Sequence, residues 1–152
     1  HLRMFGAFYQ LQGPALERRI DELVVLLDMG EYADRECRRF SKGMSQKVAL
    51  ARAIIHDPGN LLLDEPTSGL DVMSARQVRG LISQSRERGR CVIVSTHILS
   101  EAERLCDRLV LIDHGKVVAD GTPAEICALS GKSTVEEAFL ALVGREDVEV
   151  IA

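Results

Sequence analysis

Two adjacent carboxylates, Asp64 and Glu65, end the apolar run Leu61-Leu62-Leu63 and stand just before Pro66-Thr67-Ser68-Gly69-Leu70-Asp71. Like charges side by side are costly unless a cation or a reacting group comes between them. Phosphate chemistry supplies both. A Mg²⁺ ion takes hard oxygen ligands, and an attacking water needs a base or a positioner. Asp64 is the candidate for holding Mg²⁺, directly or through water. Glu65 is the candidate for orienting or deprotonating the water, a role that needs an ionised carboxylate within hydrogen-bond reach. The plain alternatives are a turn or helix-cap Asp and a surface Glu before a Pro turn.

Two further segments carry compatible chemistry. Upstream, Phe40-Ser41-Lys42-Gly43-Met44-Ser45-Gln46-Lys47 opens a helix that runs to about His56-Asp57-Pro58. Ser41 to Gly43 fall at its start, where unpaired N–H groups and the positive dipole end suit a phosphate. Gly43 permits close backbone approach, and Lys42 adds positive charge. An ordinary Ser N-cap would read the same way, so this segment alone is weak. Downstream, the strand Cys91-Val92-Ile93-Val94-Ser95 leads through Thr96 to His97, which could hydrogen-bond a terminal phosphate. His1, His56 and His114 lack such context and read as surface residues.

In this order and spacing, the segments resemble the ATP-binding cassette (ABC) ATPases. Ser41-Lys42-Gly43-Met44 is similar to the family's signature loop. Asp64-Glu65-Pro66 resembles its Walker B strand end and catalytic carboxylate, Ser68-Gly69-Leu70-Asp71 its D-loop, and His97 its switch histidine. The likeness is strong over about 40–120, weaker over 1–39 and loose beyond.

The resemblance implies an α/β P-loop NTPase (RecA-like) core, present in part, with a helical signature subdomain. It implies ATP and Mg²⁺ as cofactors and a head-to-tail dimer with a second copy of the ATPase subunit. In that dimer Ser41, Lys42 and Gly43 meet the partner's ATP, and Asp71 links the two sites. It also implies an integral membrane permease subunit as partner, a place on the cytoplasmic inner face of the cell membrane, and transport powered by hydrolysis. The family's usual loop is Ser-Gly-Gly-Gln; the Ser-Lys-Gly-Met form resembles export-type subunits of sodium-extrusion and drug-efflux systems.

One departure is large. No Gly-x-x-x-x-Gly-Lys-Ser/Thr occurs in the 152 residues, so the phosphate cradle and the Q-loop glutamine that follows it are missing. In the family the cradle's strand lies between those corresponding to 91–95 and 108–113. Its absence would leave two strand edges unpaired, at about 1–3 kcal/mol per buried backbone group. The chain, which begins at His1, is therefore expected to be a fragment of a longer polypeptide.

Composition agrees with such a piece. At 46% apolar content the chain could build one domain-sized core. A net charge of −4 and a pI near 5.6 argue against a nucleic-acid surface. No apolar run reaches the roughly 18–20 residues of a membrane span, and there is no signal-peptide pattern. Cys37, Cys91, Cys106 and Cys127 form no Cys-x-x-Cys pair and read as buried thiols in a reducing compartment.

The elements that must position these residues follow from periodicity. A helix is expected over 2–11, with Phe5, Phe8 and Tyr9 facing the core. Pro14 starts a second, with the stripe Leu16, Ile20, Leu23, Val24 and Leu27, ending at Gly30. The stretch 31–40 is irregular. After the signature helix come a strand at 60–63 and a helix over about 72–89 capped by Asp71. Strand 91–95 and a helix near 99–106 follow, then strands 108–113 and 116–120 joined at His114-Gly115. Thr122 to Glu125 and Ser133 to Glu136 read as capping boxes. The alternation predicts a largely parallel sheet with an antiparallel edge hairpin. Arg35, Arg38, Arg39, Lys42, Lys47 and Arg52 read mostly as solvated surface. The expected organisation is a helical signature subdomain over 1–42, the second half of the ATPase core over 43–120 and a helical tail over 121–152.

Two rival functions remain open at this point: a soluble ABC-type ATPase with no membrane partner, and a non-hydrolytic module that lends its signature loop in trans. Against the first stand a single cassette and the lack of heptads or a basic arm. Against the second stand the intact Asp64-Glu65 pair and His97.

Overall fold

The computed structural model describes residues 1–143; the end of the expected tail, 144–152, lies outside the described residues. The chain divides into two compact units, His1–Ser95 and Thr96–Ala152.

The first unit begins with helices α1 (Leu2–Phe8) and α2 (Gly13–Leu26). Short 3-10 turns at Gly30–Tyr32 and Cys37–Arg39 follow, then α3 (Lys42–Ile54), β1 (Asn60–Asp64), α4 (Val72–Glu87) and β2 (Cys91–Ser95). The stripe on α2 does what its spacing predicts: Leu16, Leu23 and the following Leu27 are buried, while Val25 on the opposite side is exposed. Arg19 ties α2 to the far end of the signature helix. Its guanidinium donates to the carbonyls of Ile54 (2.8 Å) and Ile55 (3.2 Å) at the helix end, where Ile54 O also accepts from Asp57 N at 3.0 Å. Arg90 fixes the next loop through Asp57 at 2.5 Å. Strand β1 therefore starts from an anchored point.

β1 pairs with β2 in parallel, with Leu62 opposite Ile93 and Asp64 opposite Ser95. Leu61 and Leu63 are buried, whereas Leu62 and Ile93 are 76% and 59% exposed. A continuous apolar run is the pattern of a strand covered on both faces; one face is open here among the described residues.

The second unit holds α5 (Leu99–Leu105), β3 (Leu109–Asp113), β4 (Lys116–Gly121), α6 (Pro123–Ser130) and α7 (Val135–Val143). The antiparallel β3–β4 hairpin turns at His114 and Gly115, with φ of 47° and 77°. Two successive positive φ values are those of a type I′ turn, whose twist suits the strands. Ile126, Val135, Ala138 and Leu142 pack with Leu109, Leu111 and Ala119 as its core.

Several expectations need correction. The strands form two separate two-stranded sheets, because alternation of elements does not dictate which edges pair. The first helix ends at Phe8, and its aromatic face is not core: Phe8 is 71% and Tyr9 50% exposed. His56 is no plain surface residue, since Tyr9 stacks on it at 3.7 Å. Lys47 is buried on the inner face of α3, and Arg52 lies over the Phe5 ring at 4.0 Å. None of the cysteines is buried: Cys37 and Cys91 are exposed, and Cys106 and Cys127 are half-buried. The first capping box forms between Thr122 and Glu125, but the second is shifted by one residue. Thr134 accepts from Glu137 N, while Glu137 reaches back to Ser133 N. Thr134 is the better-placed cap because Val135 is fully buried at the first helical position.

Candidate functional site

Three segments of the first unit converge in sequence-predicted order. Ser41 is the N-cap of α3, with extended backbone at φ −65° and ψ 168°. Its hydroxyl accepts from Met44 N at 3.2 Å, and its own N–H donates to the Met44 sulfur at 3.4 Å. A capping box ordinarily uses Glu or Gln at that third position. Met44 fills it with a weak thioether acceptor, which accounts physically for a Ser-x-x-Met start. Lys42 and Gly43 form the first turn, Lys42 exposed and Gly43 half-buried.

Asp64 is the last residue of β1. The Ser95 hydroxyl donates to its carboxylate from the register position on β2. Glu65 lies one residue beyond, half-buried, at φ 45°. A left-handed conformation costs a non-glycine residue about 1–3 kcal/mol and persists where the surroundings impose it. Here two backbone bonds do so: Glu65 N donates to Ser95 O at 2.9 Å, and Ser68 N donates to Glu65 O at 3.1 Å. The reversal ends the strand at Asp64.

The turn that follows is closed by Leu70 N donating to Thr67 O at 3.2 Å, with Gly69 at φ 70°. Gly69 supplies a left-handed conformation that side chains rarely adopt. Asp71 then caps α4 as expected. One carboxylate oxygen accepts from Met73 N (3.0 Å) and Ser74 N (2.9 Å), and the other accepts from the Ser74 hydroxyl at 2.7 Å. The Ser74 hydroxyl, followed by its backbone N–H, holds the Asp71 carboxyl below its ordinary value of 3.8.

A pH dependence follows. Because the folded value lies below the unfolded one, the cap contributes fully above pH 3.8 and is lost as pH falls through the lowered value. Asp71→Asn keeps an acceptor but cannot titrate. The expected outcome is a shallower fall of the melting midpoint below pH 4 in the variant than in the wild type; superimposable acid limbs would contradict it.

The signature turn and the Ser68–Asp71 turn touch. The nearest neighbour of a side chain at Gly43 would be Leu70 Cδ2 at 3.6 Å. His97 belongs to the second unit and is exposed, in a turn where Thr96 Oγ1 accepts from Ile98 N at 3.0 Å. Sequence reasoning missed Ser95 as the partner of Asp64; the signal was the parallel register that sets 64 opposite 95. It also missed Lys47 and Arg19, whose roles depend on helix packing.

The family model described as ABC transporter matches residues 3–68. The chain belongs to the ABC transporter ATP-binding family. The ABC transporter ATP-binding protein NatA of Bacillus subtilis (strain 168) is 41% identical over 121 residues, covering 80% of this chain and 49% of NatA. The Nod factor export ATP-binding protein I of Neorhizobium galegae is 36% identical over 126 residues, 83% of this chain and 36% of its own length. The probable multidrug ABC transporter ATP-binding protein YbhF of Escherichia coli (strain K12) is 36% identical over 98% of this chain but 26% of YbhF. A solved ATP-binding subunit of an ABC transporter superposes with a TM-score of 0.85 at 32% identity, over 94% of this chain and 60% of that one. The ABC ATP-binding chain thus has the P-loop NTPase fold, and it spans about half or less of the length of these curated relatives. Among the described residues no helix is long and apolar enough to cross a membrane.

Proposed function

We propose that this segment is the signature and catalytic-carboxylate half of a subunit that hydrolyses ATP to power an ABC exporter. The observation that carries the reading is the convergence, in one compact unit, of the acidic pair at the end of β1 with a Ser41 turn packed on the Ser68–Asp71 turn. Export is favoured by the names of the relatives, a Nod factor export protein and a probable multidrug transporter subunit.

Mg²⁺ is commonly held by one or two carboxylates together with phosphate oxygens and waters. Asp64 fits that mode: it is a hard oxygen donor at a strand end, oriented by the Ser95 hydroxyl. When bound, the ion would neutralise charge on the phosphate oxygens. Glu65 would take up or direct the proton of the water that attacks the terminal phosphorus, as the bond to the leaving ADP oxygen breaks. Its left-handed backbone sets where that carboxylate can reach. The Ser41–Gly43 turn would present helix N–H groups and the positive dipole end to the ATP of a second copy, with Asp71 fixing the linking turn. His97 would contact the terminal phosphate. The domain reading of 1–42, 43–120 and the tail from 121 stays part of this proposal, as does a permease partner met on the inner membrane face. The exposed Phe8 at the end of α1 and Tyr9 just after it are suited to such an apolar contact.

The test is a Mg-ATP titration on this 152-residue chain beside the protein extended upstream to its natural start. Binding and phosphate release by the longer form alone is the expected result. Binding by neither would move the non-hydrolytic module ahead. Co-purification of the longer form with a multi-span membrane protein separates the transporter from a soluble ATPase.

A further inference from the structure

Lys42 occupies the first position of α3, directly after the Ser41 cap. A cation there opposes the helix dipole, so its side chain gains by leaving the helix axis for another surface. It does so toward a specific place. Around the position where Gly69 would carry a Cβ lie three successive atoms of the Lys42 side chain: Nζ at 2.7 Å, Cε at 3.1 Å and Cδ at 3.4 Å. The lysine thus fills the space above the turn that joins the catalytic strand to the Asp71 cap. Gly69 is constrained by its φ of 70°, and a side chain there would also have to displace the Lys42 ammonium and press on the Cε and Cδ behind it. One residue along, Gly43 sets its own open face against Leu70.

We propose that Lys42 is a positioning residue: its aliphatic stem, laid across Gly69, locks the Ser41 turn to the Ser68–Asp71 turn so that the two move as one body. The inference rests on the ATPase reading for its functional consequence, though not for the contact itself. The two turns would approach the second copy together, and a change felt at the phosphate end of α3 would be passed directly to Asp71 and α4. A lysine acting on phosphate would use its charge. A lysine acting as a strap uses its length, and a stem retains that length without the charge.

The test uses the full-length protein and has two readouts. In a thermal double-mutant cycle, Gly69→Ala is expected to lower the melting midpoint more in the wild-type background than with Lys42→Gly, where the side chain it strikes is gone. Equal effects in both backgrounds would overturn the contact. In Mg-ATPase assays, Lys42→Gly is expected to lower kcat about tenfold with KM for ATP changed by less than about twofold, as for loss of alignment. Lys42→Met, which keeps the stem and drops the charge, is expected to recover most of that kcat. A Lys42→Met enzyme as slow as Lys42→Gly, or a rise in KM carrying the defect, would assign the effect to charge on phosphate and overturn the strap. Absence of any wild-type ATP turnover would defeat the ATPase reading instead, and the melting cycle would still decide the contact.

Discussion

Glu65→Gln in the full-length protein is expected to leave Mg-ATP binding within about threefold and to lower turnover by about 10²- to 10⁴-fold, the usual scale for loss of a general base. The substitution keeps the side chain's shape and both backbone bonds that hold residue 65, from Glu65 N to Ser95 O and from Ser68 N to Glu65 O. It removes only the capacity to accept a proton. Asp64, with its bond from Ser95, is untouched, so the phosphate end should still bind. Isothermal titration and phosphate release on the same preparation separate the two effects. Near-normal turnover would take Glu65 out of the role. Strain gives a companion expectation: Glu65→Gly should be inactive yet no less stable, because glycine adopts a φ of 45° without the steric penalty.

Leu23→Ala is expected to have the largest effect on stability, about 2–5 kcal/mol, as for other buried leucines truncated in a packed core. Leu23 is completely buried on α2, one turn from Arg19, and α2 positions the distal end of α3 through the Arg19 bonds to Ile54 and Ile55. Loosening α2 should therefore loosen the helix whose other end carries Ser41. Val25 on the same helix is 81% exposed, so Val25→Ala should stay within about 0.5 kcal/mol. Denaturant melts of both variants check this, and equal losses would contradict the burial pattern.

The parts that the sequence made legible are those governed by local rules. The run ending in Asp64-Glu65 became a strand with its carboxylates at the exit, Asp71 and Thr122 became caps, and His114-Gly115 became a two-residue turn. Each depends on residues within a few positions of one another. What was hidden depends on packing between distant segments. Periodicity put Phe8 and Tyr9 on one face of α1 but could not say that the face stays open. A charged residue at 47 looks solvated until α3 turns that face inward. The proximity of Lys42 to Gly69, twenty-seven positions apart in sequence, was likewise invisible before the turns were placed together in space. The acidic pair itself was readable, whereas the support of Asp64 by Ser95 depended on strand register.

The most direct measurement is a mixing experiment on the full-length protein, since the central claim is that Ser41 and Glu65 serve different nucleotides of one dimer. Ser41→Arg, which blocks the signature turn, and Glu65→Gln are each expected to be inactive alone. Mixed, they are expected to form dimers in which one site combines an intact Glu65 with an intact Ser41 turn, and phosphate release should reappear. A single chain carrying both substitutions, mixed with either variant, should restore nothing. If the two single variants stay inactive together while still associating, the signature turn does not act in trans and the account fails.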